Sequence, residues 1–194
     1  VCSLTASAQF KVSLTAPQFS SGTAYLTYHW GKNLNIADSA EMNTNGVAVF
    51  KGDKSLPGGI YSVVFPGKRI TADFFIDKEQ TISITANDTL KLMDMLVAGS
   101  PENDLFKKYQ QFTAEKGALL QRARSNYNTA KTKEDSLKHE ATFTQLNKEL
   151  SDYRNAIATE HPESMLASML NAMKEPAILI KQPITREDSM ANYR

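Results

Sequence analysis

Cysteine is nearly absent from this chain: among 194 residues only Cys2 carries a thiol. One thiol makes no intrachain disulfide, no CxxC redox pair and no thiolate zinc site. Histidine is scarce as well. His29, His139 and His161 stand far apart, with no HExxH and no paired metal-ligand spacing. No GxSxG elbow, phosphate loop or GxGxxG turn follows a strand pattern, and "LPGG" at 56–59 reads as a turn. Long apolar runs are lacking too, none approaching the roughly 20 residues of a membrane-spanning helix. Nor does one sign of charge dominate: 22 Lys and Arg stand against 21 Asp and Glu, for a formal net charge of +1. Interleaved charge excludes the clustered basic face of a nucleic-acid binder. Together these gaps point to a segment that is not an enzyme, takes no cofactor and does not span a membrane.

What is present begins with an ordinary apolar share, enough for a packed core in one large domain or two small ones. The opening "VCSLTASAQF" places Ala6-Ser7-Ala8 before Gln9, the small-x-small pattern of signal-peptidase cleavage. Residues 1–8 therefore read as a signal-peptide remnant, and the protein as exported to the periplasm or cell surface. A lipid anchor on Cys2 is the less favoured alternative, because Val1 is not the small residue that usually precedes a lipidated cysteine.

From 9 to 90 the pattern is short alternating runs: "FKVSL", "TAYLTYHW", "NLNIADSA", "GVAVFKG", "GIYSVVF", "ITADFFID" and "QTISITA". "NTNG", "LPGG" and "FPGK" supply the turn residues between them. Regular strands with tight turns predict an antiparallel β-sandwich, with a small barrel as the alternative. Tyr25, Tyr28, Trp30 and Tyr61 are its candidate ligand contacts, a face for a peptide or glycan; the competing use of such aromatics is to fill the core. Asp73 and Asp77 flank "FF" and are expected to point outward into solvent, too ordinary a pair to imply acid–base chemistry.

From 91 to 175 the pattern becomes helical. Ser100, Pro101, Glu102 and Asp104 form a helix start. Leu105, Tyr109, Phe112, Lys116, Leu119, Ala123, Tyr127 and Ala130 then make one face, with Lys116 its polar break. "KTKEDSLKH" is expected to turn the chain into a second helix striped by Leu137, Ala141, Phe143, Leu146, Leu150, Tyr153 and Ile157. Two such helices predict an antiparallel hairpin, with a homodimeric coiled coil as the alternative use of the stripes. Pro162 opens a short third helix carrying Met165, Leu166, Met169, Leu170 and Met173. A methionine stripe can ligate copper(I), but leucines on the same face favour packing. The stripe is thus a candidate docking face. The whole is an α+β chain: an N-terminal antiparallel β-sandwich, an antiparallel helical hairpin and a short third helix, then a tail at 176–194.

Four stretches carry a resemblance: "IADSAEMNTNGVAVFKG", "LPGGIYSVVF", "FFIDKEQTISI" and "GSPENDLFKKY". They resemble the N-terminal β-rich domain of unknown function found on secreted bacterial thioredoxin-like proteins. The matching features are Asp38-Ser39-Ala40, Gly46 with Phe50 and Gly52, Pro57 with Gly59 and Tyr61, and Gly99-Ser100 with Asn103, Phe106 and Tyr109. "HPESMLASMLNAMKEP" with "REDSMANYR" is similar to the helical domain that follows in those proteins. The resemblance implies that a thioredoxin-like domain, of thiol-disulfide oxidoreductase or peroxiredoxin type and bearing the catalytic cysteines, comes after the tail. It implies an accessory role for residues 9–194: to position or cover that partner domain, or to recruit protein clients.

Overall fold

The computed structural model describes residues 9–67 and 71–174, and it shows an α+β fold, β-rich first and helical after. The expected signal remnant with Cys2 and the tail at 176–194 lie outside the described residues. Strands β1 (Phe10–Thr15), β2 (Thr23–Trp30), β3 (Asn33–Glu41), β4 (Val47–Gly52), β5 (Gly59–Val64), β6 (Thr71–Ile76), β7 (Thr81–Thr85) and β8 (Leu96–Ala98) form two four-stranded sheets. Their orders are β4-β1-β7-β8 and β3-β2-β5-β6. Seven strands follow the alternation in the sequence. The eighth carries the first sheet past residue 90, where the strand pattern of the sequence stops.

Period-two alternation sends one set of side chains from each sheet inward. Phe50, Val12 and Ile82 sit side by side across β4, β1 and β7, and all three are buried. Facing sheet rows Leu26–Val63–Ala72 and Tyr28–Tyr61–Phe74 close the core, the latter with ring centroids 6.1 and 6.4 Å apart. Pairing is antiparallel except between β1 and β7, which run parallel. The turn "NTNG" is held by the Asn43 side chain, whose Oδ1 accepts from the Asn45 and Val47 amides at 2.9 Å. Gly46 there has φ +72°, and a Cβ would lie 2.6 Å from the Ala16 carbonyl oxygen.

Helices α1 (Pro101–Thr129), α2 (Lys133–Glu160) and α3 (Met165–Ala172) follow. The first two form the antiparallel hairpin, and at about 1.5 Å per residue each is some 40 Å long. Lys116 is no gap in the stripe: its Nζ lies 2.6 Å from Glu149 of α2 and 5.4 Å from the Phe112 ring centroid. Two boundaries differ from the sequence reading. "KTKEDSLKH" is mostly helix, because Thr132 caps α2 by accepting from the Asp135 amide and donating to its carboxylate. Pro162 lies in the turn before α3, whose cap is Ser164, accepting from the Ala167 amide.

Candidate functional site

The junction between sandwich and helices is built by "GSPENDLFKKY". Gly99 takes φ +94°, and a Cβ there would meet the Thr81 carbonyl oxygen at 2.6 Å. Ser100 then caps α1. One turn in, the buried Asn103 turns its amide onto β6, the edge strand of its sheet. Oδ1 accepts from the Phe75 N–H at 2.7 Å, and Nδ2 donates to the Phe75 carbonyl at 2.8 Å. The side chain thus stands where another strand would pair. Phe106 packs edge-on against Phe75 with centroids 4.6 Å apart. Glu102 accepts from the Leu166 amide at 2.8 Å, so the start of α1 also caps α3. Sandwich, hairpin and third helix are fastened together within one helical turn.

Both faces of β6 are consequently covered. Phe74 points into the sandwich core and Phe75 into a second apolar cluster with Tyr109, Ile157, Leu166 and Leu170. Asp73 is exposed, but it accepts a short hydrogen bond from Ser62, whose Oγ also lies 3.4 Å from His29 Nε2. Ser62 is buried and sits between the other two. The order His–Ser–Asp ties three neighbouring strands together; it does not present an activated hydroxyl.

The methionine stripe divides. Leu166 and Leu170 are already covered by this chain, and Met165 and Met169 pack partly into the same cluster. Only Met173, 63% exposed, stands largely free. A docking face made of the whole stripe therefore reduces to Met173 with the outer parts of Met165 and Met169. Among the described residues no three His, Asp or Glu side chains gather as metal ligands.

The aromatics fare differently. Tyr28, Trp30 and Tyr61 come together around a groove of ≈ 660 Å³, walled on the far side by residues 56–60. Trp30 is 74% exposed, Tyr28 half-buried and Tyr61 buried, so they form a floor and a free platform. Tyr61 donates to the Pro57 carbonyl at 2.9 Å, and burial, then Tyr28, raises its pKa above 10.0. Gln80 pins the wall: its amide accepts from the Leu56 N–H at 2.8 Å and donates to the Leu56 carbonyl at 3.1 Å. Tyr25 lies outside this lining. The sequence reading named Asn103 only within the resemblance, and it reached neither Gln80 nor the linking of His29, Ser62 and Asp73, because all of these depend on contacts between distant segments.

These features define a class, a β-sandwich whose last sheet edge is closed by the first turn of a following helix. The chain belongs to the family Domain of unknown function (DUF4369), which matches residues 10–106. The match runs from the first strand through Asn103 to Phe106 and so takes in the junction. No curated protein matches the chain.

Proposed function

We propose that residues 9–194 are a non-catalytic platform in an exported thioredoxin-like redox protein, holding the redox domain or recruiting its clients. The observation that carries this reading is the Glu102–Asn103 fastening, which makes sandwich and helices one support and leaves Met173 outward at the end of α3. The sequence resemblance supplies the partner domain. The intact mass of the endogenous mature protein tests it. A mass larger by another domain, roughly 100–150 residues, supports the platform, and removing residues 9–174 should then alter reduction of protein clients. A mass matching this chain alone sinks the reading.

A second reading is favoured by the groove: a module holding a peptide or glycan against Trp30. Trp30 is the only tryptophan in the chain, so its emission reports on the groove directly. Titration with peptide and oligosaccharide panels should shift that emission to the blue if the groove is used. Binding that survives Trp30→Ala and Gln80→Ala would place the ligand elsewhere.

A further inference from the structure

The far end of the helical hairpin carries a face that no other described element covers. Contacts across the hairpin step regularly, Phe112 meeting Tyr153 at 4.0 Å between centroids and Lys116 meeting Glu149 at 2.6 Å. Two further turns on each helix bring Arg124 level with Ala141. There Ala123, Arg124 and Tyr127 of α1 face His139, Glu140 and Phe143 of α2 across an open cleft of ≈ 330 Å³. Tyr127 is 47% exposed and Phe143 40%. The sandwich and α3 engage the hairpin only at its other end, through Asn103, Tyr109 and Ile157. Among the described residues, this pair of helices with aromatic side chains between them lacks the third layer that normally buries such a stripe.

The charges flanking the cleft say what fits it. Arg124 lies on the α1 side and Glu140 on the α2 side, and among the described residues neither is in an ion pair. A twofold axis along the hairpin sets α1 of one copy against α2 of the other. Arg124 then meets Glu140 of the second copy, twice, over the Tyr127 and Phe143 rings. An isologous interface requires self-complementarity of this kind. We propose that the chain dimerises through this face into a four-helix bundle, with its occupant a second copy of itself.

Sedimentation equilibrium of the full chain over a range of concentrations tests this, with Arg124→Glu, Glu140→Arg and the double reversal. The wild type should dimerise. Each single reversal should weaken association by at least about tenfold, through like charges set opposite one another. The double reversal should restore it. Both residues are exposed, so all variants should keep the wild-type circular dichroism. A monomeric wild type at roughly 100 μM, an unaffected single reversal or an unrestored double would each overturn the proposal.

Discussion

Two side-chain amides do the work of missing strands. Asn103 pairs with the Phe75 backbone and Gln80 with that of Leu56, each as donor and acceptor at once. The Asn103 pair is buried, so its loss leaves a backbone donor and acceptor without water. Asn103→Ala should cost about 2–4 kcal/mol, measured by urea unfolding, with exchange of the Phe75 amide accelerated most. A loss under about 0.5 kcal/mol, the scale of a surface substitution, would mean that the edge of β6 does not depend on this amide. Gln80 is only half-buried, and Gln80→Ala should cost less. Gly99 belongs to the same junction. Gly99→Ala combines a positive φ with a Cβ 2.6 Å from the Thr81 carbonyl, so it should destabilise despite the added methyl. The two amides were hard to find in the sequence because their partners lie 24 and 28 positions away. Asn103 entered the sequence reading as part of a resemblance, with no physical role attached.

At the level of elements, legibility followed the range of the interaction. Seven strands and the hairpin stripes were readable, since a period of two or 3.6 is written within one segment. The three-residue β8 is too short to show a period. The parallel pairing of β1 with β7 joins segments some 70 residues apart and leaves no local mark. The start of α2 was concealed by polarity, although "TKED" from Thr132 holds a cap and two acids in the first turn. The hairpin itself makes a pH prediction. The hydrogen bond from Lys116, then that from Gln145, holds the Glu149 carboxyl below its ordinary value of 4.5. A depressed carboxyl stabilises the fold fully above its unfolded pKa and loses that contribution as pH falls through the folded value. Lys116 is raised by the same partner, so its share is present at neutral pH and lost only above 10.5. Thermal midpoints of wild type and Glu149→Gln should therefore differ near neutrality and converge in acid. A constant difference down to about pH 2 would assign the effect to packing around Phe112 and Tyr153 instead.

For the whole molecule, the question is whether the sandwich is a domain in its own right. Its core is one continuous cluster, yet one sheet has an outer face that is apolar at Ile60 and Phe75, and helices cover it. The family match ends at Phe106, whose ring packs on Phe75. A sandwich cut before α1 keeps every strand but exposes Phe75, Ile60 and the backbone edge of β6 together. Exposed strand edges beside apolar side chains invite pairing between chains. The fragment 9–98 should consequently self-associate or lose its sharp unfolding transition, whereas the full chain should unfold in one cooperative step. Light scattering and circular dichroism melts of the two, at equal concentration, decide between them. If 9–98 remains monomeric and melts as steeply as the full chain, the junction is a tether between independent units. The platform reading would then lose its physical basis, because a support that swings freely does not position what it carries. If the fragment fails as expected, the first turn of α1 is part of the sandwich, and a force or ligand acting on the helices is felt at β6.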